Sequence, residues 1–271
     1  MGTAIPQASL KRVRVELAEF VRSRRERLDP AEFGLPTSGR RRTMGLRREE
    51  LAAVAGVGLT WYTWFEQGRD IRVSTHFLSR IASVFALDAA ECAYLNALAV
   101  DAPTPALSKK SSLLLDDLSP LLERVEPWPA FIKDEAWCIL AWNRSADELF
   151  GGLACLNDDE RNSLWATFMH LPYRARMVDW QEDAHRIVGR FRADYAHFAA
   201  DHPARLMIDR LRRGSTEFDQ VWQCQDVQGR DLGQRRFRYP NGADQSYRYV
   251  VSKIDSANNW RMVIHMPDDQ H

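Results

Sequence analysis

The stretch GLRREELAAVAGVGLTWYTWFEQGRD runs from Gly45 to Asp70, and two apolar-periodic runs in it flank a short AGVG. The spacing predicts one helix over 47–55, a sharp turn, and a second helix over 58–67 that stops at Gly68. Leu51, Ala52 and Ala55 fall on the inward side of the first helix, and the small Ala52 lets two helices approach closely. Gly56 permits the turn, Val57 plugs the core beneath it and Gly58 opens the second helix. Tyr62 and Phe65 then face the core, which leaves Leu59, Thr60, Trp61, Thr63 and Trp64 pointing outward. This is the layout of a helix-turn-helix.

Upstream of the motif, Leu10, Val13, Leu17, Phe20, Val21 and Leu28 recur at helical spacing from Ala8 onward. The other face of that helix is basic: Lys11, Arg12, Arg14, Arg22, Arg24, Arg25 and Arg27, with Asp29-Pro30 as its end. A Gly/Pro-marked loop containing Arg40, Arg41 and Arg42 connects it to the motif. Downstream, Ser74 is placed to cap a helix whose core face is Phe77, Leu78, Ile81, Val84 and Phe85, and Asp88 to cap a fifth helix. Residues 8–100 therefore read as an all-α domain of five helices.

The segment DAPTPALSKKSS, residues 101–112, reads as a linker. In 113–271 the pattern changes. PAFIKDE and WCILAWN read as strands. Helices are expected at SADELFG, at RNSLWATFMH, over one long stretch from Tyr173 to His202, and at ARLMIDRLRRG and STEFDQVWQCQ. RRFRYPNG, QSYRYVVSKI and NNWRMVIHM close the chain as strands, with Asn241-Gly242 as a turn. That order suits an α+β domain with an antiparallel sheet and helices on one side, so the fold class is multidomain.

The chain has 37 basic and 37 acidic residues, but they are not evenly spread. Residues 1–72 hold 14 basic and 9 acidic side chains, whereas 101–271 hold 22 and 26. A positive end joined to a slightly acidic body fits a nucleic-acid-facing module attached to something else. The four cysteines, Cys92, Cys138, Cys155 and Cys224, lie far apart and read as reduced thiols of a cytoplasmic protein, with no leader and no apolar run of membrane-spanning length. His170, His185, His197, His202 and His265 have no metal-ligand spacing, and no nucleophile elbow appears, so neither a metal nor catalysis is expected.

The motif resembles the helix-turn-helix of the XRE/Cro-repressor superfamily, with Glu66-Gln67-Gly68 as its ending. FVRSRRERLDP, FGLP, GRRR, GLRREELA, AGVG and WYTWFEQGRD, followed by LAWN, RNSLW and FRYPNG, resemble the MmyB-like transcription regulators over nearly the whole chain. The superfamily often has serine where Gly58 stands, a loss of a few tenths of a kcal/mol, since glycine is a tolerated N-cap. On this resemblance Arg40, Arg41, Arg42, Arg47 and Arg69 are the phosphate neutralisers, and Arg48 stands where relatives often place a phosphate-binding glutamine. Thr60 and Thr63 offer hydroxyls to bases or phosphates, and Leu59, Trp61 and Trp64 apolar area to thymine methyls. The recognition helix has no arginine, so each contact reads its base modestly, which argues for a homodimer on a palindromic operator.

The resemblance further implies that the C-terminal domain is PAS-like, senses a small molecule and dimerises. Its expected guest is an apolar, fatty-acid-like ligand, with no other cofactor. Apolar candidates for its pocket are Phe131, Leu140, Trp142, Phe150, Leu164, Trp165, Phe168 and Met169. Asn143, Arg161, Asn162, His170, Tyr173 and Arg176 are the candidates for a head group, although Asn143 and Asn162 also stand where helix caps belong. Two other readings stay open: a haem- or redox-sensing domain on the same DNA binder, and an antitoxin-like DNA binder with no ligand.

Overall fold

The turn between the two motif helices depends on Gly56. Its backbone is left-handed, with φ of 61°, and the Arg80 guanidinium lies against it. Glycine is the residue that adopts this left-handed conformation without strain. Helices α2 (Arg48–Ala55) and α3 (Leu59–Glu66) flank it, and Glu50 closes the first turn of α2 by accepting from the Arg47 main-chain nitrogen at 2.8 Å. Around them stand α1 (Gln7–Arg27), α4 (Thr75–Val84) and α5 (Ala89–Ala99), with a short 3-10 turn at Pro30–Phe33 capped by Asp29. The core is Phe20, Val21, Leu46, Leu51, Ala52, Tyr62, Phe65, Leu78, Ile81, Tyr94 and Leu95, each almost fully buried, with Phe20 edge-on to Tyr94. Val57 is only half-buried.

The computed structural model describes residues 7–36, 45–99, 112–198, 202–229, 233–255 and 259–268. The chain divides into two units. The first comprises Met1–Thr104 together with Ala196–Arg205 and Cys224–Gly229; the second comprises Pro105–Tyr195, Leu206–Gln223 and Arg230–His271. Within the first unit, Arg205 grips Glu16 at 2.9–3.0 Å and Arg27 pairs with Asp226 at 2.8 Å. All of the expected linker except Ser112 lies outside the described residues.

The second unit is built on a five-stranded antiparallel sheet, ordered β2-β1-β5-β4-β3. Its strands are β1 (Ala130–Lys133), β2 (Ile139–Trp142), β3 (Gln234–Arg238), β4 (Asp244–Asp255) and β5 (Trp260–Pro267). The register Phe131↔Val263, Lys133↔Arg261, Tyr249↔His265 and Arg235↔Tyr247 puts these side chains on one face. The opposite face carries Ala130, Ile132, Met262 and Trp260. Helices α7 (Arg144–Phe150) and α9 (Leu171–Arg176) bring Phe150 and Tyr173 onto the first face, while α8 (Ser163–Met169), α10 (Trp180–Tyr195) and α12 (Thr216–Gln223) pack their rings against one another.

Four expectations are corrected. Helices were expected on one side of the sheet, but Leu118 and Leu122 of α6 (Ser112–Arg124) cover the opposite face. That helix itself was not anticipated, because its Pro120 reads as a breaker. The single helical stretch from Tyr173 to His202 is instead two helices. Met177 makes a bridge to Phe237 and Val178 N donates to Arg236 O at 3.0 Å, so the chain joins the sheet edge between them. Finally, Arg25 does not belong to the solvated basic face of α1. It is buried, and its Nε and Nη2 reach the two oxygens of Glu66 at 2.7 and 2.9 Å.

Glu66 is fully buried and also accepts from Tyr62 Oη at 2.9 Å and from Arg48 Nε at 2.9 Å. Burial alone raises a carboxyl pKa, but the Arg25 hydrogen bond and charge outweigh it and hold Glu66 below its ordinary value of 4.5. Removing one partner of a buried pair costs about 3–5 kcal/mol, because the other charge stays buried. Glu66→Gln should therefore lower the unfolding free energy of this unit by about that amount at pH 7, measured in urea. A depressed acid contributes stability above its unfolded pKa and loses it as pH falls through the folded value. The gap between wild type and E66Q should then shrink below about pH 4.5; a gap of equal size at pH 3 and pH 7 would contradict the assignment.

Candidate nucleic-acid interface and ligand-binding face

The outer side of α3 is open to solvent. Leu59 and Trp61 are each 47 % exposed, Thr60 is exposed, and Thr63 and Trp64 are half-exposed. Trp61 and Trp64 meet edge-to-face at 5.8 Å, and the Arg69 guanidinium sits 5.7 Å over Trp64. That stacking leaves Arg69 exposed and held near the end of α3, with its Nε donating to Gln67 at 3.0 Å. Arg47 is exposed at the start of α2, and its closest carboxylate partner, Glu49, is 4.0 Å away. Arg48 is half-exposed and committed to Glu66. Arg40, Arg41 and Arg42 lie outside the described residues. Gly58 caps α3 without a side chain, and a Cβ there would meet only Trp61 Cδ1 at 3.7 Å, so a serine fits without strain.

In the second unit the predicted ligand residues fall into three groups. Phe131, Phe150 and Tyr173 form one aromatic line: Phe150 stacks on Tyr173 at 4.2 Å, and Phe131 meets Phe150 edge-on at 5.3 Å. Phe237, Tyr247, Tyr249 and His265 continue this line across the sheet. Leu164, Trp165, Phe168 and the half-buried Met169 belong to α8, where Phe168 packs against Trp180 and Phe218 and the Arg210 guanidinium lies over Trp165. Trp142 is partly buried with Arg161 above its ring, whereas Leu140 packs with the cluster on the α6 side.

The polar candidates have mostly local partners. Asn143 caps α7, and its Oδ1 also accepts from Ala130 N while its Nδ2 donates to Leu122 O and Trp128 O. Asn162 caps α8 and donates to Ala136 O. Arg161 pairs with Asp158 and donates to Leu156 O, and His170 Nε2 lies 3.3 Å from Gly151 O. Arg176 is half-exposed, yet its Nη1 is buried with no partner among the described residues.

The sequence reading missed a group of charges on the aromatic face of the sheet. Lys133 is 7 % exposed, and its ammonium sits 3.2 Å from the Trp137 ring centroid with no carboxylate at ion-pair distance among the described residues. Arg261 binds Asp194 through both terminal nitrogens, and Trp137 Nε1 donates to the same carboxylate at 2.9 Å. The guanidiniums of Arg235 and Arg190 lie 4.9 and 4.8 Å from the Tyr249 ring. Burial, and then the neighbouring arginines against the pull of Asp194, hold Lys133 well below its ordinary pKa. A desolvated cation–π contact offers about 2 kcal/mol, whereas removing an ammonium from water costs several, so Trp137 compensates Lys133 only in part. His265 is buried, and burial with the nearby Arg235 outweighs the pull of the Pro129 backbone and brings its pKa down to about 3. The signal for Lys133 was present in PAFIKDE, where strand alternation puts it on the same face as Phe131.

Two family models match the chain. One, described as the MmyB-like transcription regulator ligand binding domain, covers residues 116–271; the other, described as a helix-turn-helix domain, covers residues 16–95. No curated protein matches.

Because Asn143 joins α7, β1 and the segment after α6, Asn143→Ala should destabilise the second unit by about 2 kcal/mol, read by thermal or urea unfolding. A change below about 0.5 kcal/mol would mean that these bonds do not hold the strand in place.

Proposed function

The chain belongs to the MmyB-like transcription regulators, and we propose that it reads a palindromic operator as a homodimer under control of an acidic, apolar small molecule. A helix-turn-helix and the family's ligand-binding domain together make a ligand-responsive transcription regulator. No helix among the described residues is long and apolar enough to cross a membrane. The observation that carries the DNA reading is the open outer side of α3, where Leu59, Thr60 and Trp61 stand exposed with Arg47 and Arg69 beside the motif. Thr60 and Thr63 touch base edges, Leu59 and the tryptophans pack on thymine methyls, and the arginines neutralise phosphates. The aromatic line from Phe150 to Tyr249 supports an apolar guest in the second unit, because it lays a continuous ring surface against the sheet.

Control follows from differential affinity. A ligand that binds one arrangement of the dimer better than another shifts the population towards it, and DNA affinity changes by the same coupling factor. Proteins of this kind act in the cytoplasm, where the operator and a metabolic amphiphile are both present.

The test uses a duplex selected from a random pool by the protein itself, read by fluorescence anisotropy. Thr60→Ala with Thr63→Ala should weaken the selected duplex at least tenfold, about 1.4 kcal/mol, and leave a scrambled duplex unchanged. Arg47→Ala should weaken both duplexes alike and reduce the slope of log K against log salt by about 0.9. If neither variant moves DNA affinity, α3 is not the recognition helix.

A further inference from the structure

The outer side of α3 lacks the groups that read a purine by paired hydrogen bonds. In the major groove guanine is read by arginine or lysine, and adenine by asparagine or glutamine, with two bonds to one base edge in the strongest cases. Residues 59–66 contain none of these four types, and the one charged side chain among them, Glu66, is buried. Gln67 follows, but its Oε1 already accepts from Arg69 Nε at 3.0 Å. What α3 offers instead is apolar area. Leu59 and Trp61 are exposed large apolar side chains on this side of the helix, and such area gains free energy where it is covered. The Trp61 indole is also held in place. One edge of it lies over Gly58, and the ring stands edge-to-face with Trp64, which in turn lies beneath the Arg69 guanidinium. Thr60 and Thr63 add hydroxyls, each able to donate or to accept, so neither separates a carbonyl from an amino group.

The apolar feature of a major-groove edge is the methyl group at C5 of a pyrimidine. Thymine carries it, and so does cytosine once methylated at that carbon, whereas uracil and plain cytosine do not. On this edge thymine and 5-methylcytosine differ at position 4, where one has a carbonyl oxygen and the other an amino group. A threonine hydroxyl donates to the first and accepts from the second. We propose that α3 reads the C5 methyl group itself, through Leu59 and Trp61, and so accepts 5-methylcytosine in place of thymine. This rests on the DNA reading above and names the chemical feature of the base that the helix selects. It gives the chain a further function, a response to DNA methylation: affinity for an operator rises when a cytosine facing Leu59 or Trp61 is methylated at C5. Covering one methyl is worth about fourfold in affinity.

The duplex selected by the full-length protein is remade with uracil in place of every thymine, and the affinity for each is read by anisotropy. Wild type should bind the uracil duplex at least about fourfold more weakly, and Leu59→Ala with Trp61→Ala should bind the two duplexes alike. Both side chains are exposed, so the double variant should keep the wild-type Tm to within a few degrees. Should it nonetheless fail to fold, Trp61→Ala alone is the second variant, with the thymine–uracil difference reduced. At the position most sensitive to uracil, cytosine and 5-methylcytosine are then each placed opposite guanine, and the methylated duplex should bind about fourfold tighter. Equal affinity for the thymine and uracil duplexes, or for cytosine and 5-methylcytosine, overturns the methyl reading and leaves the DNA reading to the Thr60 and Thr63 variants. A thymine–uracil difference that persists unchanged in the Leu59 and Trp61 variants overturns it too, because other residues then read the methyl. If the protein enriches no duplex from the random pool, the recognition-helix reading falls and the methyl reading falls with it.

Discussion

One buried carboxylate sets the pose of the recognition helix. Glu66 ends α3, and its two oxygens are shared among Arg25 of α1, Arg48 of α2 and Tyr62 of α3 itself. Arg25 extends the tie to the segment before α2 by donating to Leu46 O at 2.7 Å. Apolar packing is tolerant of small rotations, but a bidentate guanidinium–carboxylate pair is directional. The node therefore fixes the angle at which Thr60, Trp61 and Thr63 are offered, and half-exposed Arg48 links that angle to the outside. Such a pair adds little net stability compared with apolar side chains of the same volume. Its return is geometric, which is what a helix that must match a groove requires.

The second unit solves the reverse problem. Its sheet presents an ordinary apolar face to α6, through Ile132, Met262 and Trp260 on Leu122, and a polar-aromatic face to the other helices. The second holds the buried ammonium of Lys133 against the Trp137 ring.

Much of this was legible in the residues. The Gly56 turn, the inward set Leu51, Ala52, Ala55, Tyr62 and Phe65, and the five strands of an antiparallel sheet all follow from period and turn chemistry, whereas their order in the sheet does not. The solvent-facing side of α3 was readable because short amphipathic helices leave a defined remainder once their core face is assigned. The charged side of the sheet was not, because its residues come from β1, β3, β5 and α10, separated by more than a hundred positions. Periodicity reports which side of its own element a residue occupies and nothing about which other elements share that side. The same limit explains Arg25, indistinguishable from Arg24 in a run of arginines, and the break at Met177, imposed by a strand sixty residues later.

The make-up of the first unit has a consequence for its birth. Residues 196–205 and 224–229 belong to it, with Arg205 on Glu16 and Asp226 on Arg27. A ribosome that has finished the fifth helix must add about 130 more residues before the last of these pieces emerges, roughly 6–26 s at ordinary elongation rates. Until then, the nascent first unit carries Glu16 and Arg27 without these partners. The first unit is thus complete as a packed body only after most of the chain has been translated.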